Sequence, residues 1–382
     1  AYAGAQSPSF VQATKDLEAL AEVCISRERV QRWTKRVGEE RVAEMEAAAT
    51  AYQELPLPAQ RENPSAQTPQ VACLQVDGGR IQILERLAEI VGEPGWRETL
   101  VGCLLSMTSK EHTEDPCPTI PPMFVDVARI SELSREIKGF SSDSAESSTT
   151  MDGSQAGREG RPEPLVRSVV ATREGVETFG ERLVAAAHAR GFNAARRKAF
   201  VADGSATNWG LHRRHFSHYT PILDFTHAIC YVYAAAMTGR AATLGWHDYC
   251  QWAQWLWAGE ITKLIAAVAS RAEELGPAAA DAPETSPSSI VAKTLGYLRN
   301  QSSRMRYAEY RKLGLPITSS HIESTIKQIN RRVKGTEKFW DRGAEPILQL
   351  AADHLSETQE FDRFWKTRRR NLPTTRGYRT AA

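Results

Sequence analysis

Three acidic residues stand where a carboxylate can be held rigidly and can meet a ligand. Asp77 follows the apolar run CLQV and precedes Gly-Gly, and Asp203 follows the apolar run AFVA and precedes Gly-Ser. Glu323 falls in the first turn of a predicted helix, SSHIESTIKQ, where the helix dipole favours a negative charge. Carboxylates at strand ends and at a helix start converge when these elements meet at one sheet edge.

Three convergent carboxylates repel one another unless cations lie between them, so the pattern indicates a metal site. Mg²⁺ suits it best, with Mn²⁺ as the alternative, because this ion binds few protein oxygens and leaves room for phosphate. Two such ions about 4 Å apart activate water and stabilise the leaving oxygen of a phosphodiester. Simpler interpretations also exist: Asp203 forms an Asp-Gly turn, and Glu323 forms a capping box with Ser320.

The acids require a sheet whose strands end together. The segment QVACLQVDGGRIQIL predicts two strands joined by a Gly-Gly turn, and WRETLVGCLLSM predicts a third strand, which completes an antiparallel meander. Further strands are expected at 198–203 and in HYTPILDF, with a helix at about 173–190. The predicted fold class is therefore α/β, with a mixed sheet flanked by helices.

Five motifs together resemble bacterial insertion-sequence transposases with a DDE active site, closest to the ISKra group: VDGGR, VADGS, ILDFTHA, YRKLGLPITSSHIESTIKQINRRVKGTEKFW and ILQLAADHLS. The resemblance covers residues 70–357. It implies an RNase H-like core, interrupted by an all-helical insertion, in which Asp77, Asp203 and Glu323 are the catalytic metal ligands. It also implies double-stranded DNA as partner, both the element ends and the target, and a homo-oligomer.

Related transposases carry a C/D-x-x-H motif after the second acid, and here Asp224 and His227 match it. Asp224 follows Ile222–Leu223 and is expected at a strand end near Asp203. The three-residue spacing lets both side chains face the same way, and a carboxylate raises the proton affinity of an imidazole. We predict that the pair supports the site without binding metal, with His227 steadying the scissile phosphate or a flipped nucleotide. The alternative is that it pins the insertion to the core.

The chain divides into six predicted segments. They are a helical DNA-binding region (1–54), a linker (55–70), the first part of the core (71–226), the helical insertion (227–310), the last part of the core with the Glu323 helix (311–357) and a basic tail (358–382).

Two sets of basic residues are predicted to contact DNA. In the N-terminal region Ser26 is expected to cap, and Gly38 to end, a basic helix that carries Arg29 and Arg32. This pattern fits a helix-turn-helix reader and an ordinary amphipathic pair equally well. Near Glu323, phosphate-backbone contacts are expected from Lys327, Arg331, Arg332, Lys334 and Lys338.

Two further groups allow several interpretations. His212, His215 and His218 share a face if HRRHFSHY is helical, where they bind a metal, contact phosphate or form a solvated helix end. The tryptophans of GWHDYCQWAQWLWAGE fit the core of a helical insertion or a platform for an unpaired base.

The charge is distributed unevenly along the 382 residues, although the net charge is only +2. From Val291 to Ala382 there are 19 Lys and Arg against 9 Asp and Glu, which fits a polyanion-binding surface or a solvated basic tail. We identify no signal peptide and no apolar stretch of the ~20 residues that a membrane span needs. We therefore expect a cytoplasmic, nucleoid-associated protein without a membrane partner.

These observations predict a DNA transposase that cleaves and joins strands at terminal inverted repeats. A structure-specific nuclease, such as a Holliday-junction resolvase, is the alternative among enzymes. A domesticated DNA-binding protein or repressor is the alternative without catalysis, and the intact set of Asp77, Asp203 and Glu323 argues against it.

Overall fold

A mixed sheet of five strands forms the centre of the computed structural model, which describes residues 1–65, 68–83, 95–140, 161–279, 281–334, 340 and 343–371. The strands are β1 (Val71–Ile83), β2 (Gly95–Thr108), β3 (Glu163–Thr172), β4 (Arg197–Ala202) and β5 (Thr220–Leu223). Their order in the sheet is β3-β2-β1-β4-β5. Helices pack on both faces, so the predicted α/β class is confirmed.

The register of the parallel strands sets the position of the site. β1, β4 and β5 run parallel, whereas β2 and β3 pair antiparallel beside them. The pairing of β1 with β4 ends at Val76 and Ala202, and that of β4 with β5 ends at Ala202 and Leu223. β4 is an apolar run because helices cover both faces of a parallel sheet. The three strands thus end their parallel pairing at one level.

The predicted Gly-Gly turn is wrong, because Gly78 and Gly79 continue β1 and pair with Leu100 and Thr99 of β2. The antiparallel strand β2 pairs with β1 along its whole length, including the two glycines at which the sequence indicated a turn. A Cβ atom at Gly79 would lie 2.9 Å from Thr99 Oγ1, so this glycine permits close approach rather than a turn. The two expected strands are therefore one, and Asp77 lies within β1 instead of at its end.

Four helices precede the sheet: α1 (Tyr2–Gln6), α2 (Phe10–Ala21), α3 (Arg27–Gln53) and α4 (Leu57–Arg61). Ser26 caps α3 as predicted, since its side chain accepts a hydrogen bond from the Arg29 amide. The predicted end at Gly38 is wrong, because α3 continues for four further turns. A Cβ atom at Gly38 would lie 2.6 Å from Pro346 Cβ, so this glycine allows a close helix contact.

The other helices of the described chain follow in order. They are α5 (Val127–Lys138), α6 (Val176–Ala189), α7 (Ala206–His215), α8 (Phe225–Met237), α9 (Ala242–Ala258), α10 (Ile261–Leu275), α11 (Pro287–Gln301), α12 (Tyr307–Lys312), α13 (Ser320–Val333), α14 (Ala344–Leu355) and α15 (Glu360–Asn371). Short 3₁₀ turns lie at Pro122–Phe124, Phe192–Ala194 and Ser302–Arg304. None of the described helices is both long enough and apolar enough to cross a bilayer.

Two apolar clusters hold the helices against the sheet. On one face, Ile322 of α13 and Ile347 of α14 pack with Val101 and Val169. The larger cluster on the other face includes α6, α7, α8 and the helices that follow β5. Trp252 and Trp257 are buried in this larger cluster, which favours the core interpretation over base stacking for these two tryptophans.

The described part of the predicted basic tail is a docked helix. Phe364 of α15 is buried against Val37 of α3 and Leu350 of α14. Arg368 forms an ion pair with Glu40 at 2.5 Å. The arginines of α15 therefore lie next to the N-terminal helices.

Candidate active site

Three aspartates occupy equivalent positions on neighbouring strands. Asp77, Asp203 and Asp224 each follow the residue at which the parallel pairing of their strand ends. Carboxyl ends of parallel strands meet at one edge of a sheet, and residues in register point to the same face. The amide of Asp224 also donates to the carbonyl oxygen of Ala202 at 2.8 Å. The register itself therefore brings the three aspartates together.

Asp203 is held by the turn that follows it. Its Oδ1 accepts hydrogen bonds from the Ser205 amide at 3.0 Å and from Asn208 Nδ2 at 2.9 Å. Gly204 adopts a φ of +100°, which favours glycine, and Ser205 then caps α7. Because both hydrogen bonds use Oδ1, the turn and ligand binding through Oδ2 are compatible.

Asp77 has an environment that disfavours its charged form. Burial, together with the charges of Asp203 and Glu323, raises the pKa of Asp77 to about 6, although the charge of His227 and a 2.7 Å hydrogen bond from the Gly78 amide oppose the rise. Burial and the charge of Asp224 likewise raise the pKa of Glu323. Carboxylates in this situation are relieved of their repulsion by a bound cation.

Glu323 projects from the first turn of α13, as predicted, but its capping interpretation is wrong. The N-cap of α13 is Ser319, and Ser320 is already helical. Glu323 is thus the fourth helical residue, one position too far for a capping box. The Ser319 hydroxyl donates to Glu323 Oε1 at 3.4 Å, which orients the carboxylate within the site.

Gln75, which sequence reasoning missed, anchors the start of α13 to the sheet. This β1 side chain is fully buried. Its Nε2 donates to the Thr318 carbonyl oxygen at 3.0 Å, and its Oε1 accepts from the Ile322 amide at 3.1 Å. The available signal was a single amide side chain within the apolar run CLQV, because buried polar groups need partners.

Asp224 and His227 form an ion pair whose carboxylate is buried and whose imidazole is partly exposed. Asp224 is fully buried, and its carboxylate accepts from His227 Nδ1 at 2.6 Å and from the Ser319 amide at 3.0 Å. Burial alone would lower the pKa of His227, but the hydrogen bond and charge of Asp224, with the charges of Asp203 and Asp77, raise it to about 9. The imidazole is thus protonated at neutral pH. Burial raises the pKa of Asp224, yet His227 and Ser319 bring it below its usual range.

Side-chain atoms of Asp224, His227 and Glu323 lie within 4.8 Å of one another, a spacing that a metal ion accepts. Two features argue against that use. Asp224 already accepts hydrogen bonds from the amides of Thr226, His227 and Ser319 as well as from the imidazole. A protonated imidazole also repels a cation. Of the three predicted metal ligands, Glu323 belongs to this cluster, whereas Asp77 and Asp203 lie outside it.

The predicted DNA contacts divide into two groups. Arg29, Arg32, Lys327, Arg331 and Lys334 are exposed, and Lys327 pairs with Glu136 at 3.0 Å. Arg332 is a correction: it is only 5% exposed. Its Nε donates to the Gly4 carbonyl oxygen, and its guanidinium stacks over Phe10 and Trp340. Arg332 is the next residue of α13 after the exposed Arg331, so its side chain points in a different direction from the helix axis, toward the core. Lys338 lies outside the described residues.

The predicted shared face of three histidines is wrong. His212 and His215 belong to α7, but α7 ends at His215, so His218 lies in the turn beyond it. His212 is buried, and its Nε2 contacts the Tyr219 carbonyl oxygen at 2.9 Å. This histidine packs in the core instead of presenting a ligand atom with the other two.

No protein-family model matches this chain, and no curated protein matches it.

Proposed function

We propose that this chain is a metal-dependent DNA transposase that hydrolyses phosphodiesters and joins strands at the terminal inverted repeats of a mobile element. The shared sheet edge of Asp77 and Asp203 supports this proposal most strongly, because their register puts two carboxylates side by side. The charge of Glu323 also contributes to the raised pKa of Asp77. The mixed sheet, with helices α8–α12 between Asp224 and Glu323, is consistent with an RNase H-like core.

Asp77, Asp203 and Glu323 would hold Mg²⁺ or Mn²⁺, in a site for two ions. The fit rests on their hard oxygen donors and on the raised pKa values of Asp77 and Glu323, since a cation relieves the cause of both shifts. Such ions, when bound, activate a water or a 3′-hydroxyl and stabilise the leaving oxygen.

His227 would steady the scissile phosphate or a flipped nucleotide. Its Nδ1 donates to Asp224, which leaves the Nε2–H of the protonated ring to donate to a phosphate oxygen. Asp224 fixes the ring, and the positive charge of the ring interacts with the charges of Asp203 and Asp77. His227 would thus bind through a charge-assisted hydrogen bond, which is stronger than a neutral one.

Asp224 has a second role as a clasp between elements. It caps α8 through the amides of Thr226 and His227, and it accepts from the Ser319 amide at the start of α13. The carboxylate therefore joins the helices after β5 to the helix that carries Glu323. Support of the site and attachment of the insertion are compatible.

DNA would contact two exposed basic surfaces. Arg29 and Arg32 lie near the start of α3 and would recognise the element ends. Lys327, Arg331 and Lys334 lie along and just after α13 and would contact the phosphate backbone near the site. The active form would be a homo-oligomer that acts on element ends and target DNA.

A strand-transfer assay with labelled DNA ends tests the proposal. The substrate is the DNA that flanks the gene, where inverted repeats identify the element ends. A transposase gives joined product with Mg²⁺, a nuclease or resolvase gives cleavage only, and a DNA-binding protein gives a mobility shift only. Asp203→Asn should abolish both products, whereas the control Asp281→Asn, at an exposed loop position, should abolish neither.

A further inference from the structure

A lysine is held beside the carboxylate edge by a stack of two tyrosines. Lys138, the last residue of α5, places its Nζ 3.0 Å from the ring centre of Tyr231. The Tyr231 ring stacks on Tyr297 at 3.8 Å with an interplanar angle of 14°. The Tyr297 hydroxyl in turn donates to the carbonyl oxygen of Asp203 at 2.9 Å. The ammonium is therefore positioned relative to the backbone of a candidate metal ligand.

A second ammonium belongs to the same region. Lys293 lies on α11, one helical turn before Tyr297, and it pairs with Glu284 at 3.4 Å. Burial and the charge of Lys293 lower the pKa of Lys138 to about 8, while the charge of Asp203 acts in the opposite direction. Lys138 therefore keeps most of its charge at neutral pH although its surroundings disfavour that charge.

The half-buried ammonium of Lys138 has no carboxylate partner among the described residues, whereas the exposed Lys293 pairs with Glu284. Among the described residues, the carboxylate whose charge acts on Lys138 is that of Asp203. In the proposed function Asp203 binds a cation, so its charge no longer compensates that of Lys138. An anion supplied by the substrate would then compensate the Lys138 ammonium, and a phosphate in the DNA backbone has the required charge and oxygen acceptors.

We propose that Lys138 and Lys293 form a binding subsite for a backbone phosphate of the DNA substrate, next to the phosphate that is cleaved. This inference rests on the proposed function. The tyrosine stack acts as its positioning device, because it fixes the Lys138 ammonium without a carboxylate partner that would have to be displaced. The competing explanation is purely structural, namely a cation–π contact that ends α5 next to α8.

Acetylation footprinting by mass spectrometry tests the subsite without requiring catalysis. The full-length protein is acetylated with and without a duplex oligonucleotide, in EDTA and again in Mg²⁺. We expect DNA to protect Lys138 and Lys293 at least tenfold in one of the two buffers. Lys263, an exposed lysine of α10 that pairs with Glu260, is the control and should react equally with and without DNA. If Lys138 reacts equally with and without DNA in both buffers, the proposal is overturned.

Variants provide a second, independent readout. Lys138→Met and Lys293→Met should each reduce the slope of log affinity against log salt by about 0.9, the value for one lost phosphate contact. Lys138→Arg should keep the slope, and so should the control Lys263→Met. A fall in melting temperature without a change in slope would show that Lys138 only packs. If the wild-type protein binds no duplex at all, the proposed function fails before the subsite does, so the two failures are distinguishable.

Discussion

Gln75 holds the amide of Ile322, the residue immediately before Glu323. The two hydrogen bonds of the Gln75 side chain cross from the centre of the sheet to the start of α13. Gln75 also lies two residues before Asp77 on β1, so one side chain links the strand of one candidate metal ligand to the helix of another. The distance between those two carboxylates therefore depends on Gln75.

Replacing Gln75 with Leu should weaken metal binding as well as stability. The substitution leaves the buried Ile322 amide and Thr318 carbonyl without their partner, at a cost of about 1–3 kcal/mol per group. It also releases the first turn of α13, which carries Glu323. We expect a lower melting temperature and a smaller rise in melting temperature on addition of Mg²⁺, both measured by thermal denaturation.

Gln349→Leu is a matched control for this effect. Gln349 is likewise buried, and its Nε2 donates to Asp353 Oδ1 at 3.0 Å, on α14. Its loss should lower stability but leave the rise caused by Mg²⁺ unchanged. Equal losses of the Mg²⁺ effect in both variants would contradict a specific role for Gln75.

Asp77→Asn should stabilise the metal-free protein above pH 6. The folded-state pKa of about 6 exceeds the usual value of about 3.9, so the folded protein binds the proton more tightly than the unfolded chain does. This contribution to stability is complete below about pH 4 and is lost as the pH rises through 6. An asparagine avoids the buried charge, so at pH 7 the variant should be more stable by roughly 1–3 kcal/mol.

Chemical denaturation in EDTA between pH 4 and 8 measures this difference. The free energy of unfolding should fall with pH more steeply for the wild type than for Asp77→Asn. Asp281→Asn, at an exposed position, should follow the wild-type curve. A variant that is less stable than the wild type at pH 7 would show that Asp77 is stabilised by its neighbours, contrary to its raised pKa.

The sequence predicts the positions of Asp203 and Asp224 after their strands, but it predicts the position of Asp77 incorrectly. Asp203 and Asp224 follow short apolar runs that end in turn or cap residues, and local patterns of this kind can be recognised from the amino-acid sequence alone. Asp77 precedes Gly-Gly, a local turn signal, but β2 pairs along the whole of β1 and overrides it. Which strand pairs with which depends on the tertiary structure, and the local sequence does not specify it.

Arg332 illustrates a second limit. Its sequence neighbourhood, QINRRVK, indicates a charged helix surface, and Arg331 is exposed accordingly. The direction of Arg332 is decided by Phe10 and Trp340, which lie far away in the chain and stack on its guanidinium. Helical periodicity could have placed Arg332 on the face of Ile322 and Ile329, ten and three residues earlier, but the charge of the side chain favoured an exposed position.

His227→Gln should slow DNA cleavage while the fold is kept. Glutamine is chosen instead of alanine because Asp224 is fully buried, and leaving a buried charge without its partner costs about 3–5 kcal/mol. A glutamine can still donate to Asp224 but carries no charge. We expect cleavage to slow by roughly 10²–10⁴-fold, the range typical of proton-transfer and positioning groups.

The pH dependence of stability distinguishes the charged from the neutral imidazole. The folded-state pKa of His227, about 9, lies above the unfolded value of about 6.5. Its stabilisation is therefore complete below pH 6.5 and lost as the pH rises through 9. Wild-type stability should fall across this window, and the His227→Gln curve should be flatter. Parallel curves would contradict a protonated His227.

Charge reversal should separate the basic residues of α13 and α3 into three classes. Arg331→Glu should weaken binding to every duplex sequence and reduce the salt dependence, because it removes an exposed positive charge near the site. Arg332→Glu should instead lower the melting temperature, because it puts an unpaired carboxylate between Phe10 and Trp340. Arg29→Glu with Arg32→Glu should reduce the preference for element ends over unrelated DNA. Mobility shifts with both kinds of duplex, at several salt concentrations, measure the two effects on binding, and thermal denaturation measures the effect of Arg332→Glu. If Arg29→Glu with Arg32→Glu and Arg331→Glu weaken binding to end and unrelated DNA in the same proportion, α3 does not read sequence and only attracts the backbone.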